Sequence, residues 1–221
     1  MATRGRPRSF DREAALRQAT EVFWRRGYEG TAVSDLTKAM GINAPSLYAA
    51  FGCKEALFRE AVALYNATEG AVTDRALEAA PTARRAIEDM LRLNAAAYVS
   101  PRRPPGCMVT LAATIGTPES AAVRQFLAQC RQEAQEAIER RLARGVAEGD
   151  LPKRADVAAL AAFYYTVLQG LSIQARDGAS RETLAGIVDC AMAAWDRLVN
   201  PEPRRRGKDG KNAVVAGRRG R

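Results

Sequence analysis

The chain has no histidine in 221 residues. That removes the usual general base and metal ligand at neutral pH, and with it the mechanisms that pair a hydroxyl or thiol with an imidazole. Cysteine is scarce as well: four residues, at 53, 107, 130 and 190, with no CxxC pair. Such spacing supports neither a zinc site nor a disulfide framework, so no metal and no cofactor is expected and the thiols are expected to be reduced. No phosphate-cradling glycine loop occurs. A thiol-dependent enzyme is therefore the weakest of the functional readings. Strand patterning is missing too. Pro and Gly gather at the N-terminal arm, the turns and the tail, leaving Ala/Leu/Arg/Glu-rich stretches that favour helix. The expectation is an all-α protein of one or two domains. The N-terminal MATRGRPR has no apolar run behind it, which argues against a secretory signal. The longest mostly apolar stretch, 157–171, reads as too short and interrupted to cross a bilayer. A cytoplasmic chain with no membrane partner is expected.

What is present begins with charge. The formal net charge is +9, of which residues 1–8 supply +3 and residues 204–221 supply +7, leaving the body at −1. Positive ends on a neutral body suit a polyanion partner and electrostatic steering. A plain solubility tail remains the alternative for residues 201–221.

The stretch Thr31 to Lys54 reads as two short helices around a tight turn. Apolar residues at Val33, Leu36, Ala39 and Met40, then Ile42, Leu47 and Phe51, give each helix one inward stripe. Gly41 can take the left-handed conformation that ends the first. Asn43 can cap the second, and Pro45 is tolerated in its first turn. This is a helix-turn-helix, with a second helix sized for the DNA major groove.

These residues, with the flanking segments, resemble the N-terminal domain of TetR-family transcriptional repressors. The matching positions are Ala19, Phe23, Gly27, Tyr28, Thr31, Leu36, Ala39, Gly41, Tyr48, Phe51, Lys54, Glu55 and Leu57. The resemblance spans Phe10 to Val62. It implies an N-terminal three-helix helix-turn-helix domain and a larger C-terminal helical ligand-binding and dimerisation domain. With composition it divides the chain into a basic arm (1–8), a DNA-binding domain (9–60), an effector-binding and dimerisation domain (61–200) and a basic tail (201–221). It implies phosphate contacts at Thr31, Tyr48 and Lys54.

The reading helix, Ala44 to Phe51, has no Lys, Arg, Gln or Asn in its body, so it lacks the forks that pair with guanine or adenine edges. What remains is Asn43 at its start, Ser46, the Tyr48 hydroxyl, and small apolar contacts from residues such as Ala44. Cys53 stands where the family usually has Ser, Asn or Asp as a cap, and a thiol is a weak acceptor. Attention shifts to the arm. Arg4-Gly5-Arg6-Pro7 resembles the core of an AT-hook, and with Arg8 it can enter a narrow minor groove. A leader making only phosphate contacts is the alternative.

In the larger domain a helix is expected from Pro81 to about Val99, a short one from Cys107 to Ile115, and a long one from Glu119 to Glu148. Two apolar helices should follow, at 156–177 and 180–199. Met90, Asn94, Tyr98, Met108, Leu111, Phe126, Tyr164 and Leu168, with Cys130, could line a mostly apolar effector pocket, or be plain core. Cys107 follows Arg102, Arg103 and Gly106 at an expected helix start, a setting that favours thiolate. Some TetR-like regulators sense electrophiles or oxidants through a cysteine after such a glycine. Cys107 is thus a candidate sensor, with a small buried hydrophobe as the alternative. Cys130 and Cys190 are expected to pack. The last two helices are apolar on more than one face, and Leu160, Val167, Leu171, Ile187 and Trp195 are the expected homodimer contacts.

The reading is a dimeric repressor in the bacterial cytoplasm, associated with the nucleoid. It would bind a double-stranded inverted-repeat operator and be released by a small-molecule or thiol-reactive effector. The alternative is an architectural DNA-binding protein using arm and tail without effector response.

Overall fold

A computed structural model of the chain describes residues 10–200, so Arg4, Arg6, Arg8 and the tail lie outside it. Helix α1 (Arg12–Arg26) starts at Asp11, whose carboxylate accepts from the N–H groups of Glu13 and Ala14 at 3.0 Å. Its buried side holds Ala15, Ala19, Thr20, Phe23 and Trp24. It ends at Gly27, φ 72°. A Cβ at Gly27 would meet the Ala112 carbonyl oxygen at 2.8 Å, so glycine is required there for both space and backbone.

Helix α2 (Val33–Met40) ends at Gly41 in the left-handed conformation, φ 65° and ψ 27°. Helix α3 (Ala44–Phe51) is capped by Asn43, whose side-chain oxygen accepts from the Ser46 N–H at 2.8 Å. Helix α4 (Lys54–Ala67) buries Leu57, Phe58, Ala61, Val62 and Tyr65, and the expected domain boundary at residue 60 falls inside it. Cys53 does occupy the cap, accepting from the Ala56 N–H at 3.4 Å.

Helix α5 (Val72–Ala79) has no counterpart in the sequence reading, because eight residues between Gly70 and Pro81 offer little periodicity. Helix α6 (Ala83–Tyr98) is capped by Thr82. Helix α7 (Met108–Leu111) is one turn, shorter than the expected 107–115. The reason is tertiary: the Ala112 carbonyl accepts from the Tyr28 N–H at 2.8 Å, and the chain leaves helical geometry there. After a 3-10 turn (Pro118–Ser120), α8 (Ala121–Glu148) is the longest element, at 28 residues. Helix α9 (Val157–Arg176) follows. The expected last helix is divided at Ala194 into α10 (Arg181–Ala193) and α11 (Trp195–Val199).

By length and composition alone, α9 is apolar enough to cross a membrane, contrary to the sequence reading. Here it packs on α6, α8 and α10.

Two apolar cores form. One joins α1–α4, with Phe23 edge-on to Phe58 at 5.0 Å, and takes in Met108, Val123 and Leu127 from far along the chain. The other joins α5, α6, α9, α10 and α11 to the later turns of α8. Polar contacts tie α1 across the gap. Trp24 Nε1–H donates to the Gly106 carbonyl at 3.0 Å. Arg176 donates to the carbonyls of Trp24 and Arg25. Glu29 accepts from the Thr117 N–H at 3.1 Å and from the Ser120 hydroxyl.

Candidate DNA-reading surface and effector cavity

On α3, Leu47 and Phe51 point into the first core, while Asn43 and Tyr48 are exposed and Ala44 and Ser46 half-buried. Tyr48 is 47% exposed, so its ring and hydroxyl are open to solvent. Asn43 uses its oxygen as the cap and keeps its amide N–H groups for a partner.

Thr31 is different. It is buried, and its hydroxyl donates to the Gly27 carbonyl at 2.6 Å. The phosphate contact implied for it is not available from that hydroxyl, because the turn after α1 uses it.

Lys54 opens α4 with its ammonium 4.3 Å above the Tyr28 ring. Burial lowers its pKa from the ordinary lysine value, and Glu29 opposes that shift. Five arginines of α1–α4, at 12, 17, 25, 26 and 59, pair with Glu60, Glu13, Glu21, Asp35 and Glu55. Among the described residues of these helices, Lys38 and Lys54 are the cations left without an ion pair. Lys38 was not a sequence candidate. Its place at the end of α2, beside Gly41, was the available signal.

A cavity of about 290 Å³ lies between α4, α6, α8 and α9. Tyr65, Tyr98, Tyr165 and Leu168 form its aromatic and apolar wall, with Asn94, Cys107 and Cys130. Burial, followed by the adjacent Cys107 thiol, holds the phenols of Tyr65 and Tyr98 well above the ordinary range. Burial raises Tyr165 in the same way. All three therefore keep their protons at neutral pH. Asn94 donates to Thr73 Oγ1 at 3.0 Å and to the Met90 carbonyl at 2.8 Å, which leaves its own oxygen as an acceptor.

Of the eight sequence candidates, Asn94, Tyr98 and Leu168 reach this cavity. Met90 and Met108 are fully buried in the two cores. Tyr164 is core as well: it packs on Trp195 and donates to the Ala191 carbonyl at 3.3 Å. Leu111 lies against Gly106. Phe126 lies under the Arg59 guanidinium, 4.5 Å from ring centroid to carbon, on the first core. Tyr65 and Tyr165 were missed as liners, because period alone marks a helix's inner face but not a gap in its packing.

The surroundings of Cys107 differ from expectation. Arg103 pairs with Glu69, and the helix behind the thiol is a single turn. The Cys107 N–H donates to Ser172 Oγ at 2.8 Å. Cys130 shares the cavity, and Cys190 is exposed instead of packed. A second cavity, about 410 Å³, shares Asp74, Ala137 and Arg140 with the first and continues past Leu77 to Arg141 and Arg144.

Leu160, Leu171 and Trp195 belong to the protomer's own core, which removes them as free interface residues. Val167 and Ile187 are half-buried. The outward face of α9 shows Phe163 and Ile173. Among the described residues, Gly170 on α9 and Gly186 on α10 have no neighbour that a Cβ would meet within 4 Å.

Comparison with known proteins bears on the fold and the family. The family described as bacterial regulatory proteins, tetR family, matches residues 15–61, and the tetracyclin repressor-like C-terminal domain matches residues 89–189. The chain is 35% identical over 198 residues to the HTH-type transcriptional repressor ComR of Escherichia coli (strain K12), covering 89% of this chain and 94% of that protein. It is 33% identical over 190 residues to the HTH-type transcriptional repressor BdcR of the same strain, covering 86% and 89%. Among solved structures it resembles the TetR family transcriptional regulator CifR, a cysteine mutant complexed with 26-bp double-strand operator DNA. That match has a TM-score of 0.84 and 50% identity, covering 86% of this chain and 100% of that one.

Proposed function

The chain belongs to the TetR family of bacterial regulatory proteins, and from that premise we propose that it is a repressor released from its operator by an effector in the tyrosine-lined cavity. Membership makes it a DNA-binding regulator of transcription and not an enzyme. The finer reading is a cytoplasmic, nucleoid-associated homodimer that binds an inverted repeat. In it, α3 enters the major groove with Asn43, Ala44, Ser46 and Tyr48, while Lys38 and Lys54 meet phosphates. The arm arginines Arg4, Arg6 and Arg8 supply minor-groove contacts in the same proposal.

The observation that carries the effector reading is the double role of the segment around α7. Cys107 and Val109 line the cavity, while Met108 and Val109 pack in the core of the DNA-binding helices. Gly106 and Ala112, on either side, hold the end of α1 through Trp24 and Tyr28. An occupant that fits only a displaced α7 would shift the population toward a conformation whose two α3 helices no longer match the operator.

Cys107 is the thiol best placed to act in this way. N-ethylmaleimide tests it: the sulfur bonds to one alkene carbon, the double bond is lost, and a proton is taken up on the neighbouring carbon. Operator binding by the wild type should fall on treatment, and binding by Cys107→Ser should persist. Equal release from both proteins would move the sensor to Cys53, Cys130 or Cys190. No release from either would leave non-covalent ligands as the effectors.

A further inference from the structure

Arg141 of α8 is 4% exposed. A guanidinium stays charged at any pH a protein experiences, and burying it without a carboxylate is costly. Arg141 has no ion pair among the described residues. Its Nη2 donates to the Ala80 carbonyl at 3.2 Å, between α5 and α6. Among the described residues its Nε and Nη1 have no hydrogen-bond partner, and no other buried side-chain nitrogen or oxygen there is in that condition. The neighbouring Asp150 carboxylate is engaged by the Ala83 N–H.

Arg144, three residues on, is a neighbour of this group on α8, and Arg140, four residues before Arg144, lines the same cavity. Their own partners are long: Glu136 at 3.9 Å and Glu148 at 3.6 Å. All three arginines line the 410 Å³ cavity that adjoins the tyrosine-lined one. Asp74 and Glu78 stand on its α5 wall. With Glu136, Glu148 and Asp150 also near the arginines, these carboxylates disfavour a doubly charged phosphate, and the two unpartnered nitrogens of Arg141 are what favours a singly charged anion.

We propose that the effector is an amphipathic organic acid. Arg141 takes its carboxylate through charge-assisted hydrogen bonds, with Arg140 and Arg144 at the rim. The apolar or aromatic body of the acid lies among Tyr65, Tyr98 and Leu168. This rests on the effector reading given above. Both bare nitrogens are covered in this conformation, so the acid reaches them by displacing the α5 wall. Helix α5 follows α4 directly, so that displacement acts on the helix that leads into the DNA-binding core.

The test uses ω-phenylalkanoic acids of increasing chain length, each with its matched primary amide, titrated calorimetrically into the full-length protein. At the chain length that spans the two cavities, the acid should bind roughly tenfold or more tighter than its amide. Arg141→Met should abolish that advantage. The double variant Arg140→Gln/Arg144→Gln should reduce it several-fold, and it decides the matter if Arg141→Met does not fold by circular dichroism. Equal binding of acid and amide, a preference that survives Arg141→Met, or no binding by any acid overturns the anion site. Operator release by a neutral amide would keep the effector reading and remove the acid. An acid that binds through Arg141 without releasing operator would do the reverse.

Discussion

At the scale of single residues, the DNA-binding domain is held by small polar devices that the sequence marks well. Asn43 caps its helix as its position suggested, and Asp11 does the same for α1. Cys53 is the exception by chemistry and not by geometry: its sulfur occupies the cap position, but it is a weak acceptor. Cys53→Ser should therefore stabilise the protein by about 0.5–1 kcal/mol. Urea unfolding followed by circular dichroism would show a higher midpoint at unchanged slope, and a lower midpoint would count against the argument. Thr31 shows the opposite case. Its family role pointed to phosphate, but a hydroxyl within reach of the Gly27 carbonyl is internally satisfied, and no local pattern announces that.

At the scale of elements, helix existence followed from period and from Gly and Pro punctuation, whereas extent followed from contacts. Helix α7 stops where Tyr28 takes the Ala112 carbonyl. The surplus apolar character of α9 and α10 was legible, but which residues are surplus was not. Leu160, Leu171 and Trp195 are consumed by the protomer's own core, and Phe163 and Ile173 face outward, 39% and 47% exposed. If this face joins two protomers, Ile173→Glu places a charge in the interface without disturbing the core. Sedimentation velocity should then show a monomer at micromolar concentration, with operator affinity reduced and the circular dichroism unchanged. A dimer of wild-type stability would place the interface elsewhere.

For the whole molecule, charge is distributed between a body at −1 and ends at +3 and +7. Among the described residues, the arginines of α1–α4 are neutralised in pairs and two lysines are left without an ion pair. Removing residues 2–8 takes away three cations per protomer. The dependence of log affinity on log salt should then flatten by up to about 0.9 for each phosphate that the arm no longer neutralises. The drop in affinity should be larger on A·T-flanked operators, and larger than that caused by Asn43→Ala. Unchanged affinity and slope in a salt titration would end the minor-groove role of the arm. By itself, the sequence determined the helical class, the helix-turn-helix with its Gly41 turn and Asn43 cap, and the exclusion of imidazole chemistry, because each depends on residue type and short-range spacing. The tertiary structure alone decided which apolar residues fill a core and which wall a cavity, how the segment around α7 joins that cavity to the DNA-binding helices, and that Arg141 is buried without an ion pair among the described residues. Those outcomes depend on which surfaces meet across distant parts of the chain, and helical period carries no information about that.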